Sequence, residues 1–172
     1  MTALHEPIAP IVNELDLKAF RETLGCFATG VAIVTTASTD RRPVGLTISS
    51  FNSVSMAPPL ILWSLSLDSP SLSAFRDQDC FTVNILSADQ ADLARHFAKP
   101  QDDKFENVNW NWGPTGTPLL DECSAVMQCR SYRRYEGGDH EIFLGEVIGL
   151  NMTGRPGLVF SRGKFCRAEQ AV

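Results

Sequence analysis

The chain has 172 residues, 44% of them apolar and 20% charged, which is enough for one domain with a real core and too few for two comfortable ones. A formal net charge of −5 repels a phosphate backbone, so nucleic acid is not an expected partner. Five cysteines (Cys26, Cys80, Cys123, Cys129, Cys166) form no CxxC pair and three histidines (His5, His96, His140) lie far apart, which argues against a disulfide framework or a structural zinc site.

Met1 to Asn13 carry no lysine, arginine or long apolar run, and the longest strongly apolar stretch, Leu60 to Trp63, is too short to cross a bilayer. The expectation is a cytoplasmic protein with no membrane partner, a flexible segment over 1–15 and one domain over 16–168. Leu17, Phe20, Leu24 and Phe27 recur at helical spacing and predict a first helix from about Asp16, its N-cap, to about Ala28, with Gly30 ending it or turning the chain. Val31 to Thr36 is β-branched and reads as a buried strand; Asp40 to Pro43 reads as a turn. Val44 to Ser55 mixes small hydroxyl residues with apolar ones, Pro58-Pro59 interrupts, and Leu60 to Leu67 reads as the next strand.

Ser69-Pro70 has the form of an N-cap followed by proline at the first helical position, with Leu72 and Phe75 facing the core. Phe81 to Leu86 is a further strand. Ser87 and Gln90 fit a capping box ahead of a helix through Leu93, Ala94 and Phe97 that Pro100 stops. Gln101 to Pro118 is a long polar excursion. Ala125 to Tyr135 and Glu141 to Leu150 form a hairpin turning at Gly137-Gly138-Asp139, and Gly157 to Ser161 is a last strand. About six strands and three helices without regular alternation disfavour a doubly wound parallel sheet and predict a mainly β, antiparallel barrel with peripheral helices.

No GxGxxG follows a strand and no GxSxG elbow occurs, so neither a Rossmann unit nor a serine hydrolase is supported. Gly157 and Gly163-Lys164 are spaced wrongly for a phosphate loop, and Phe165 stands where serine or threonine should be. The informative stretch is Gly45 to Ser55, in which Thr47, Ser49, Ser50, Asn52, Ser53 and Ser55 carry hydroxyl or amide groups in an apolar setting. Alternation along one continuous strand would put Thr47, Ser49, Phe51 and Ser53 on one face. By chemistry alone two readings stand level: a solvated strand face, or a wall whose small donors let a planar ring or phosphate approach the backbone.

Gly-x-Thr-x-Ser-Ser-Phe, followed by Ser-Val-Ser-x-x-Pro-Pro-Leu, resembles the flavin-binding segment of the short-chain flavin reductases, the reductase components of two-component flavin monooxygenases. The likeness continues in Phe27-Ala-Thr-Gly-Val-Ala-Ile-Val, Phe81-Thr-Val-Asn84, Leu93-Ala94, Phe97-Ala98, Lys104-Phe105, Gly138-Asp139-His140 and Leu144-Gly145-Glu146-Val147, so it covers roughly Phe20 to Phe165. The fold it implies is an antiparallel split β-barrel of the flavin-mononucleotide-binding type, usually a homodimer.

Carried over residue by residue, the resemblance implies that Thr47, Ser49 and Ser50 contact the flavin ring or ribityl chain and that Asn52, Ser53 and Val54 line the ring edge. Ser64, Leu65, Ser69 and Ser71 approach the ribityl phosphate, Lys104 and Phe105 complete these contacts, and Asn84 lies close by. Gly138, Asp139 and His140 match the family's nicotinamide-side motif, with His140 over the flavin; without the resemblance Gly-Asp is ordinary hairpin chemistry. Phe160, Arg162 and Phe165 lie in a tail that approaches the flavin in some relatives. The implied activity is hydride transfer from NADH or NADPH to FMN or FAD, with reduced flavin passed to a separate monooxygenase. A flavin-binding barrel without turnover and an oxidase of the pyridoxamine phosphate type are the alternatives. The residues choose neither the flavin nor the nicotinamide nucleotide.

Overall fold

A computed structural model of the chain describes residues 15–101 and 103–168; apart from Leu15, the segment expected to be flexible lies outside them. The elements are α1 (Leu17–Leu24), β1 (Thr29–Gly30), β2 (Ala32–Ala37), β3 (Pro43–Ile48), β4 (Asn52–Met56), β5 (Pro59–Ser66), α2 (Leu72–Asp77), β6 (Cys80–Ile85), α3 (Ala91–Ala98), β7 (Trp110–Trp112), β8 (Pro118–Leu120), β9 (Ala125–Gly137), β10 (His140–Met152), β11 (Leu158–Ser161) and β12 (Lys164–Arg167). Seven strands form one antiparallel sheet in the order β3-β2-β6-β9-β10-β5-β4; β1, β11 and β12 form a second sheet and β7 with β8 a short hairpin inside the long excursion.

The large sheet curls without closing. Ile48 on β3, Val34 on β2, Phe81 and Val83 on β6, Cys129 on β9, Phe143 on β10 and Ile61, Trp63 and Leu65 on β5 all enter one core, so strands from both ends of the sheet surround the same apolar centre. Trp63 is fully buried, stacked on Phe143 with ring centroids 4.6 Å apart and edge-on to Phe75 of α2. Gly145 lies where an added Cβ would run into the Phe81 ring, beside the register shift between Leu144 and Gly145. A second core under α3 collects Ile33, Leu86, Ala94, Phe97, Phe105, Leu120 and Leu158.

The ends of the order, β3 and β4, are consecutive in sequence yet stand at opposite edges of the sheet. Three residues, Ser49 to Phe51, cross between them and belong to no strand ladder. The expectation of one continuous strand from Val44 to Ser55 is therefore corrected, and with it the single alternating face. Chain reversal at the split requires leaving β3 before β4 can pair with β5.

Three local expectations change. The first helix keeps its Asp16 cap, which accepts from the Lys18 amide at 2.8 Å, but ends at Leu24, and Leu17, Phe20, Leu24 and Phe27 are exposed rather than buried. α2 starts at Leu72, two residues later than Ser69-Pro70 suggested; the Ser69 hydroxyl instead accepts from the Ser71 amide at 3.3 Å in a local turn. Only half of the Ser87–Gln90 box forms: Gln90 Oε1 accepts from the Ser87 amide at 2.9 Å, while the buried Ser87 hydroxyl has no partner. The β9–β10 hairpin matches its prediction, with Gly138 at φ +75° in a turn that favours glycine.

Candidate functional site at the barrel split

The split leaves a cleft of about 340 Å³ between the end of β3 and β5, walled by Leu46 to Ser50, Ser64 to Ser66, Ser69 and His140. It brings together Thr47, Ser49, Ser50, Ser64, Leu65, Ser69 and His140 from the predicted set. The elements dictate this. β5 pairs with β10 so that Ile142 lies opposite Ser64 and His140 opposite Ser66, which puts His140 on the same sheet face as both serines. The crossing at Ser49 to Phe51 then runs alongside Ser64.

Within the cleft some hydroxyls hold the frame and others are open. Ser50 Oγ donates to the Ser64 carbonyl at 3.3 Å and accepts from the Ser64 amide at 3.0 Å, which pins the crossing to β5. Thr47 Oγ1 donates to the Ala94 carbonyl of α3 at 2.7 Å and keeps its lone pairs for another donor. Ser49 is exposed, and its hydroxyl has no hydrogen-bond partner among the described residues. β4 pairs only with β5, so Asn52, Ser53 and Val54 lie on an edge strand with one free side, but none of the three lines the cleft. Leu65, 3% exposed, gives its side chain to the core.

Asp139 Oδ1 lies 2.7 Å from His140 Nδ1. The hydrogen bond and the charge of His140 hold the Asp139 carboxyl below its ordinary range. With Asp139 on Nδ1, the ring presents Nε2 outward. The Asp139 carbonyl accepts from the Leu67 amide at 3.0 Å, so the hairpin tip is tied to the loop that carries Ser69. On its other side His140 borders a second cavity of about 400 Å³ with Gly138, Tyr135, Arg76, Arg134 and Glu141. Glu141, 9% exposed, pairs with Arg76 at 2.6 Å and with Arg134 at 3.5 Å; nothing in the sequence pattern signalled this ion cluster.

The cleft opens at Leu46, Thr47 and Ser69 into a groove of about 700 Å³ between β3, α3 and the segment after α3. Ser71, Lys104 and Phe105 line it, along with Ser38, Pro43, Phe97 and Gln101, which the sequence did not single out. Lys104 Nζ donates to the Phe97 carbonyl at 2.8 Å, and burial lowers its pKa. Gly45 allows α3 this close: a Cβ there would meet Phe97 Cε1 at 2.9 Å.

Asn84 does not join them. It is fully buried on β6, donates to the Ile33 carbonyl at 3.0 Å and to Thr35 Oγ1 at 3.1 Å, and accepts from the Leu120 amide at 2.9 Å. Its amide is spent inside the fold. α2 begins at Leu72 with Ser71 at its N-cap, so Ser69 does not cap it.

A family model for the flavin reductase like domain matches residues 24–169. The chain belongs to this family. An NADH-dependent FAD reductase of Streptomyces globisporus is 39% identical over 97% of this chain and 94% of its own length. A probable flavin reductase of Rhizobium meliloti (strain 1021) is 37% identical over 87% of this chain. The chain spans about half the length of that protein and of the reductase component of an Acinetobacter baylyi flavin-dependent trigonelline monooxygenase, 48% and 51%. Among solved structures, the Streptomyces globisporus NADH:FAD oxidoreductase in complex with NAD and FAD fragments superposes with a TM-score of 0.87 at 40% identity, covering 94% of this chain and 98% of that one. The open antiparallel sheet is thus the split barrel of the flavin reductase like domain.

The donor set fits a flavin. A planar ring needs a slot with hydrogen-bonding edges, and the cleft provides one lined by Thr47, Ser49 and His140. Among the described residues there is no group of three metal-ligating side chains, and no helix is long and apolar enough to cross a membrane.

Proposed function

We propose that the chain is an NAD(P)H-dependent flavin reductase that transfers hydride from a nicotinamide nucleotide to FMN or FAD and supplies reduced flavin to a separate monooxygenase. The observation that carries this reading is the cleft at the split: the open Ser49 hydroxyl on one wall, and on the other a histidine fixed by its neighbouring aspartate. A bound flavin supplies the electron-accepting chemistry, so the chain needs no strong acid or base of its own. What its residues do is bind and orient. Ser49 would hold the ring through its open hydroxyl, a donor that favours negative charge growing there, and Thr47 would accept from the ring. Ser69 and Ser71, at the junction of cleft and groove, would meet the ribityl phosphate. Gly138, Asp139 and His140 would position the nicotinamide against the ring, and holding two rings face to face is the main catalytic contribution such a site makes. Relatives are described as NADH-dependent FAD reductase, as FMN reductase (NADH) and as reductase components of monooxygenases acting on trigonelline and 4-nitrophenol, which supports the class of activity and the separate partner.

The same reading makes the protein a homodimer of the cytoplasm. Val54 and Met56 on β4 and Ile148, Leu150 and Met152 on β10 are exposed by 44–91%, an apolar surface that a second copy would cover. The five cysteines are free thiols, as suits a reducing compartment.

The test follows NADH and NADPH oxidation at the nicotinamide absorbance band with and without added flavin. Turnover that requires flavin is the expected result. Flavin binding with no turnover from either nucleotide would move the assignment to a flavin-binding barrel.

A further inference from the structure

We infer that the flavin this site selects is the dinucleotide, FAD in preference to FMN, with its adenylate half lying in the groove beyond Ser69 and its second phosphate against Lys104. This rests on the reading of the cleft as a flavin site and deepens it.

Size and continuity come first. The cleft of about 340 Å³ and the groove of about 700 Å³ share Leu46, Thr47 and Ser69, so they form one channel rather than two sites. A mononucleotide that puts its ring against Ser49 and its phosphate against Ser69 and Ser71 leaves the larger part of that channel unused. Sites usually bury most of the ligand they select.

The chemistry of the groove then names what fills it. Pro43, Phe97, Ala98 and Pro100 offer apolar surface for a flat base, while Ser38 and Gln101 offer polar edges. Lys104 is the one cation on its described walls. Its ammonium has three donors and spends one on the Phe97 carbonyl. No described carboxylate pairs with it; the Asp103 carboxylate beside it instead accepts from the Phe105 and Glu106 amides at 2.9 and 3.1 Å. A partly buried ammonium with no counter-ion among the described residues gains from a phosphate more than a solvated one does.

Direction assigns the groove to the flavin rather than to the nicotinamide nucleotide. Beside His140 lies a separate cavity lined by Arg76, Arg134 and Tyr135, which shares no lining residue with the groove. A nucleotide entering over His140 has its own exit there.

The experiment titrates the flavin-free protein with FAD and with FMN, read by flavin fluorescence. FAD should bind about tenfold tighter or more, a ratio typical of one added charge-assisted phosphate contact. Lys104→Met removes the charge and Ala98→Trp fills the groove from an exposed helix end that does not enter the core; each should shrink the FAD-to-FMN affinity ratio to near unity. Equal affinities in the natural chain, or a ratio that neither variant moves, overturns the inference while leaving the flavin site standing. A rise in the KM for NADH in Lys104→Met with both flavin affinities unmoved also overturns it, and gives the groove to the nicotinamide nucleotide. Failure to bind either flavin sinks the site itself along with the inference.

Discussion

Two regions of this molecule, its interior and the split, hold many hydroxyl and amide side chains, and the structure uses them in opposite ways. Thr35 and Thr36 on β2, Thr82 and Asn84 on β6 and Thr117 before β8 are all within 2% of full burial. Their polar atoms are paired with one another or with backbone: Thr35 Oγ1 donates to the Pro118 carbonyl at 2.6 Å, Thr36 Oγ1 to the Cys80 carbonyl at 2.9 Å, and Thr82 and Thr117 meet at 2.6 Å. Thr47 to Ser55 at the split keeps open lone pairs, open hydroxyls and a free strand edge. A buried polar group must find its partner within the fold because an unmet one costs free energy, whereas a group at a cleft can wait for a ligand. Residue type is the same in the two places; commitment separates frame from site.

The largest effect that tests this contrast is on the frame. Asn84→Leu strands the Leu120 amide and should destabilise the fold by roughly 2–3 kcal/mol, since each unmet buried group costs about 1–3 kcal/mol. Urea unfolding measures it, and a loss below about 0.5 kcal/mol would show that the interior network is dispensable. Next comes the open segment. Ser50→Leu fills the crossing and breaks its tie to Ser64, and flavin affinity should fall by at least about tenfold, or about 1.4 kcal/mol. Far-UV dichroism must stay unchanged for the result to count, and unaltered flavin affinity would remove this segment from the site.

A smaller and more selective change is expected from His140→Ala: a severalfold higher KM for NADH with flavin affinity held. Equal loss of both would deny His140 its nicotinamide role. The pH dependence follows from Asp139, whose carboxyl is depressed by its bond to His140. A depressed carboxyl keeps its pairing above its ordinary value and loses it only as pH falls through the lowered one. The KM for NADH should therefore not rise from this pair between about pH 7 and pH 5, well above the ordinary carboxylate range. A rise in that window that Asp139→Asn abolishes would contradict the assignment.

The smallest effect concerns the thiols, which sharpen the same division between committed and open groups. Burial pushes the Cys123 and Cys129 thiols up to about 12, while Cys26 and Cys166 are exposed. Iodoacetamide at neutral pH should modify Cys26 and Cys166 first and leave Cys123 and Cys129 until the chain unfolds, which mass spectrometry resolves residue by residue. Early modification of Cys129 would mean that the barrel core opens.

The sequence was legible where local physics decides. The β-branched run at Val31 to Thr36, the Gly138 turn, the Pro100 stop and the Asp16 cap all act within a few residues, and the structure shows each of them. The motif at Gly45 to Ser55 identified the ligand-bearing segment by its composition and its likeness to flavin reductases. Composition did not say that the segment breaks at Ser49 to join opposite edges of a curled sheet, because that depends on which strand pairs with which. Helical spacing marked one face of α1 correctly as apolar, but the face stays exposed within the chain: periodicity reports a side, and only packing reports what covers it. Asn84 shows the same limit within a motif, since its neighbours in sequence gave no sign that Ile33, Thr35 and Leu120 would claim all its hydrogen bonds. Sequence by itself determined the element types, the strand-rich class and the family. The tertiary structure alone decided which hydroxyls were left over, because hydrogen bonds and salt bridges between residues dozens of positions apart are settled by strand register and not by local preference.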